Sequence, residues 1–178
     1  MLKTITCISV FLVAFTCFNG AIASPYGSDI PVGFYRVANQ EGVPVKLLWS
    51  IALNESKVLT NLGRVIAWKY TLNHKGNGYY FSDKLELKSK IESLLREGET
   101  LFDVGIAQVN YHWHKEGFSS LEEMINPYNN LTYAAQYLKS HYNRSGDWWN
   151  AVGKYHAPSN KKHAKAYRKK VRAIWESL

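Results

Sequence analysis

Cysteine is all but missing from this chain. Of 178 residues only Cys7 and Cys17 carry a thiol, and both lie within the first 23. A disulfide-stapled fold is thereby excluded for everything that follows, as is a zinc site built on thiolates. Proline is scarce, with 5 residues, and no Gly/Pro/Ser-rich tract or internal repeat divides the chain, so linker-joined domains and repeat arrays are excluded too. Charged residues make up 20% and aromatics 14%, too few charges and too many rings for intrinsic disorder. What remains is one domain, long enough to bury its own core.

The first 23 residues have the form of an export signal. Lys3 precedes an apolar run from Ile5 to Phe18, and Ala21-Ile22-Ala23 supplies a small-residue exit. Cleavage is expected after Ala23. The run is short for a bilayer span and is followed by the turn formers Ser24-Pro25-Tyr26-Gly27. Ala14-Phe15-Thr16 lacks the small-residue pattern that would make Cys17 a lipid attachment site. With Lys3 in the leader, 21 basic residues face 14 acidic ones in the remaining 155, a net charge of +7. Such a surplus suits nucleic acid, anionic lipid or an acidic wall polymer alike, and only a site discriminates among them.

Residues 24 to 42, with Pro25 and Pro31, are expected to form a loosely ordered lead, and 43 to 178 the domain proper. Pro44 suits the first turn of a helix over Val45 to Ser56. Around it Lys46, Ser50, Asn54 and Lys57 fall on one polar stripe, and Leu48, Ile51, Ala52 and Glu55 on a stripe otherwise apolar. A carboxyl group on a buried face, at the negative end of the helix dipole, is pushed toward its neutral form. Two explanations stay open for Glu55: satisfaction by a cation or backbone donor, or a carboxylic acid kept protonated for proton transfer.

Beyond that helix, Ile66, Trp68, Tyr70 and Leu72 alternate with polar or small residues and predict a strand. Gly76-Asn77-Gly78 is expected to turn it into a return strand over Tyr79 to Ser82. Asp83 with Glu86 resembles a helix start, for a helix reaching Gly98; shorter helical segments begin at Ser119 or Ser120, Pro127 and Trp148. A last helix from Ser159 sets Ala164, Tyr167, Val171, Ile174 and Leu178 against seven Lys and Arg residues. The fold class is therefore α+β, mostly α, with a β-hairpin inserted after the first strong helix.

Three motifs in order carry a resemblance. Ile51-Ala52-Leu53-Asn54-Glu55-Ser56 is similar to the Glu-Ser motif closing the first helix of soluble-type lytic transglycosylases, a lysozyme-like family that cleaves peptidoglycan. Gly105-Ile106-Ala107-Gln108-Val109-Asn110 resembles that family's Gly-Leu-Met-Gln-Ile segment, with Ala107 where methionine is usual. Ala151-Val152-Gly153-Lys154-Tyr155-His156-Ala157 resembles its Ala-x-x-x-Tyr-Asn-x-Gly motif, with His156 in place of asparagine, and Asn126-Pro127, Asn130-Leu131 and Ala134 match the helix start before it. The aromatic hairpin and Val109 to His114 look like the subgroup associated with conjugative elements and secretion systems, and the resemblance implies that the inserted hairpin extends the cleft wall.

The resemblance implies a lysozyme-like fold and a catalytic Glu55 that first protonates the oxygen between N-acetylmuramic acid and N-acetylglucosamine and then takes the proton of the muramic C6 hydroxyl. A 1,6-anhydro sugar results and no water is consumed. It implies substrate-binding roles for Ser56, Gln108 and Tyr155, no cofactor and no metal, peptidoglycan strands as partner together with a trans-envelope secretion or conjugation machine, and an envelope or periplasmic location. A monomer is expected, and no nucleic acid. His112 and His114 lack a third ligand at metal-binding spacing. A water-using muramidase would need a second carboxylate, for which Asp83 and Asp103 are the candidates, although a cap or turn role is expected for both. A wall-binding component without strong catalysis is the rival from another class.

Overall fold

The computed structural model describes residues 30–178. The leader, with both cysteines, lies outside the described residues. Eight α-helices and six short strands follow one another among these residues, the mostly helical α+β class expected. No helix there is long and apolar enough to cross a membrane.

The lead segment differs from expectation, because Val32–Glu41 is a helix, α1. Phe34, Val37 and Ala38 recur at helical spacing and are buried, and Gly42 closes the helix in the left-handed region at φ 62°. Helix α2, Val45–Ser56, is where the sequence placed it, but it has no solvated stripe. Leu47 to Leu53 are all buried, and the Ser50 hydroxyl is satisfied by the Lys46 carbonyl at 2.7 Å. A short polar side chain bonding back to its own helix is compatible with full burial, so the expected polar stripe is in part core.

The long strand expected around Ile66 to Asn73 is broken. Strands β1 (Lys57–Leu59) and β2 (Val65–Ala67) pair with each other, whereas β3 (Thr71–His74) pairs with β4 (Asn77–Tyr80). The turn sits at Lys75-Gly76, whose φ angles of 52° and 81° are those of a tight two-residue hairpin loop. A second antiparallel sheet forms in the order β4-β3-β5-β6, with β5 Phe102–Val104 and β6 Val109–Asn110.

Helix α3, Lys84–Arg96, is capped by Asp83, which accepts from the Leu85 and Glu86 amides. After short helices α4 (Tyr111–His114) and α5 (Leu121–Met124) comes α6, Pro127–Ser145, capped by Asn126. Helices α7 (Trp148–His156) and α8 (Lys161–Ser177) complete the chain. Helix α7 packs between α6 and α8, α8 lies against α2, and α1 against α6. The end of α2 is thereby set against β1-β2 and α8, and its last residue, Ser56, reaches the Ile106 carbonyl in the turn after β5.

Candidate active site

Glu55 lies at the C-terminal end of α2 and lines a cavity of about 540 Å³. The cavity falls in the size range of small-ligand sites. Among the described residues no Lys, Arg or His forms an ion pair with Glu55. Its partner is instead the neutral Tyr167 hydroxyl of α8, which donates to Oε1. Burial raises Glu55 to about 7; the Tyr167 hydrogen bond opposes this, the charge of Asp103 adds to it, and Asn54 and Lys170 pull weakly the other way. Tyr155 and Tyr167 are held well above the usual tyrosine range, chiefly by burial, and so stay neutral donors. The arrangement can therefore hold a carboxylic acid protonated near neutrality, then accept a proton on it.

The turn from Gly105 to Gln108 brings Gln108 to the same cavity, and side chains of α2, β3, α6 and α7 tie it down. Gly105 has φ 80°, and a side chain there would come within 2.8 Å of Asn130. Asn130 is fully buried; its Oδ1 accepts from the Ala107 amide at 3.0 Å, while Nδ2 donates to the Val104 and Met124 carbonyls. Thr71 donates to the Gly105 carbonyl at 2.8 Å and accepts from Gln108 Nε2 at 2.9 Å. Gln108, at φ 48°, also donates through Nε2 to Gly105. The Tyr155 hydroxyl donates to the Ala107 carbonyl at 2.8 Å.

Of the sequence-predicted residues, Glu55, Gln108 and Tyr155 converge on the cavity. Ser56 does not. It is fully buried and its hydroxyl lies 2.7 Å from the Ile106 carbonyl and 3.0 Å from that of Ala52, so it fastens α2 to the turn instead of contacting a sugar. Asp83 is spent as the α3 cap. Asp103, expected as a cap or turn residue, lies in β5 and lines the cavity.

His156 also lines the cavity and stacks on Tyr167 with ring centres 4.5 Å apart. Burial lowers its pKa, while Asp103 opposes the shift. His112 and His114 are engaged by Thr100 and the Tyr133 hydroxyl respectively. Among the described residues no group of three or more His, Cys, Asp or Glu is placed to hold a metal.

Tyr167 was missed as a functional residue. Its signal was present: a tyrosine on the aliphatic stripe of the last helix must find a partner for its hydroxyl once buried. The β3-β4 hairpin contributes nothing to the cavity lining, whose aromatic side comes from Trp113, Tyr133 and Tyr137.

The family model of the transglycosylase SLT domain matches residues 34–177. No curated protein and no solved structure matches the chain.

Proposed function

Because the chain belongs to the transglycosylase SLT domain family, with its lysozyme-like fold and its lytic transglycosylase activity on peptidoglycan, we propose that Glu55 alone carries both proton transfers of that reaction. The observation that carries this is a cavity-lining carboxyl raised to about 7, with a tyrosine hydroxyl as its partner and, among the described residues, no ion pair. Such a group is part acid and part base at neutral pH, as an acid-then-base cycle requires.

In the first step the protonated Glu55 gives its proton to the glycosidic oxygen between N-acetylmuramic acid and N-acetylglucosamine, and the C1–O bond breaks. In the second the muramic C6 oxygen bonds to C1 while Glu55 takes the C6 hydroxyl proton. The product is a 1,6-anhydro end, and Glu55 returns to its starting state. Tyr167 steadies the intervening carboxylate. Gln108 and Tyr155 hold the cleft wall against which the sugar lies, and the rings of Trp113, Tyr133 and Tyr137 offer apolar faces to it.

Peptidoglycan lies outside the cytoplasm, and the Lys3 to Ala23 leader fits export to the periplasm or envelope. The exposed Lys162, Lys165, Lys169 and Arg172 of α8 suit an anionic wall. The resemblance of Val109 to His114 to the subgroup serving conjugation or secretion supports local opening of the wall for such an apparatus. Action as a monomer, without cofactor, completes the reading.

Mass analysis of the fragments released from purified wall tests it. Anhydro-terminated products, one water lighter than hydrolysed ones, are expected. Products ending only in reducing muramic acid contradict it and favour a muramidase; binding to wall without release favours an assembly component.

A further inference from the structure

His156 is the last residue of α7, and its imidazole lies flat on the ring of Tyr167 in α8, with ring centres 4.5 Å apart and planes 4° from parallel. Histidine stands here where the resembled motif has asparagine, a side chain with no ring to stack. The two helices meet closely enough for this contact. Gly153, three residues earlier and on the same face of α7, is buried, and a side chain there would come within 3.1 Å of the Ala164 carbonyl oxygen of α8. Among the described residues the imidazole forms no ion pair. Desolvation lowers its pKa, Asp103 opposes the shift, and His163 and Lys170 add to it, so at neutral pH the stack joins two neutral rings. Tyr155 borders the same ring with centres 6.4 Å apart. Tyr167 is left only 5% exposed, although His156 itself is exposed. A phenol ring held in this way has its hydroxyl aimed at one group, the Glu55 carboxyl.

We propose that His156 is a positioning residue for the Glu55 reaction: its imidazole clamps the ring of Tyr167 so that the tyrosine hydroxyl stays aimed at Glu55 through both the acid and the base step. This rests on the transglycosylase reading of the same site. His156 exchanges no proton in the reaction and acts only through Tyr167. The need for such a clamp follows from the order of events. Glu55 carries a charge only after its proton has left, and the hydroxyl that steadies that charge has to be in place beforehand, since a donor that must first swing into position loses the benefit of preorganisation.

The test compares wild type with His156→Ala, His156→Phe, Tyr167→Phe and the double variant His156→Ala, Tyr167→Phe on soluble glycan strands, using the full exported chain. His156→Ala is expected to lower kcat about fivefold, the worth of one stacked aromatic pair, with KM changed less than about twofold. A loosened Tyr167 favours ionised Glu55 less, and the other groups facing that carboxyl, Asn54, Asp103, Tyr155 and Lys170, are the same in every variant. The alkaline limb of kcat is therefore expected to move to higher pH in His156→Ala. His156→Phe restores a flat ring and is expected to keep kcat within about twofold of wild type, with the limb in its original place. On Tyr167→Phe, where the hydroxyl is already gone, adding His156→Ala is expected to cost less than about 1.5-fold more. Unchanged kcat in His156→Ala overturns the proposal. So does a His156→Phe variant as slow as His156→Ala, a loss that falls on KM or leaves the limb in place, or a fivefold loss that persists in full on Tyr167→Phe. Reducing-end products from wild type overturn the transglycosylation reading, but the same kinetic comparison still decides the role of His156. No turnover by wild type overturns both.

Discussion

Two stretches of the sheet region behave in opposite ways. The β3-β4 hairpin presents Tyr79 and Tyr80 at 37% and 55% exposure and contributes nothing to the cavity. The turn from Gly105 to Gln108 contains no aromatic residue, yet hydrogen bonds from α2, β3, α6 and α7 converge on it and bring Gln108 to the cavity that Glu55 lines. Ring content alone is a poor guide to a sugar site. A site arises where buried polar groups from distant segments satisfy one another and so hold a backbone segment still. The base of the hairpin belongs to this second kind of structure through Thr71, whereas its outer end does not.

The sharpest way to break that contrast is at the carboxyl itself. Glu55→Gln keeps the shape and removes the proton donor, so turnover on wall material is expected to fall at least about 1,000-fold. Because the folded state holds Glu55 protonated to about 7, well above an unfolded glutamate, its ionisation opposes folding as pH rises through that window. Thermal unfolding at pH 8 should therefore show Glu55→Gln more stable than wild type, by up to roughly 3 kcal/mol, and the gain should vanish near pH 4. Asn130→Ala leaves the Ala107 amide and the Val104 and Met124 carbonyls unpaired in the core. Denaturant unfolding is expected to show a loss of about 3 kcal/mol, with activity reduced further because the turn is no longer held.

Tyr167→Phe removes the one hydrogen bond that favours ionised Glu55 most. Steady-state kinetics should show kcat lowered about 10-fold and its alkaline limb moved to higher pH, opposite in sign to the shift expected for Asp103→Asn, which takes a negative charge away from Glu55. The smallest effect belongs to the hairpin. Replacing Tyr79 and Tyr80 together by Ser is expected to change kcat/KM less than about twofold and stability by no more than about 0.5 kcal/mol; a loss comparable to that of Tyr167→Phe would return the hairpin to the substrate path.

Much of this was legible along the chain, and what was not has identifiable causes. Helix α2, its Glu55, the Asp83 cap and the Pro127 start follow from periodicity and capping chemistry. Helix α1 was obscured by Pro25 and Pro31, although Phe34, Val37 and Ala38 keep helical spacing. The strand break between Ala67 and Thr71 was hidden because alternation continues across it while the pairing partner changes. Ser56 was placed near the sugar by motif position, but the serine points the other way, to the Ile106 carbonyl. Tyr167 and Asp103 depend on packing between segments far apart in sequence, which no local pattern reports. Asn130 combines both cases, being part of a recognisable helix start while its three hydrogen bonds reach into the turn and the end of α5.

Titration of the Glu55 carboxyl carbon by NMR in selectively labelled protein measures directly whether the fold keeps this group protonated near neutral pH. A midpoint near 7 is expected, moving upward in Tyr167→Phe and downward in Asp103→Asn. A midpoint at the ordinary value of about 4.3 for an exposed glutamate, unmoved by either substitution, would contradict the account.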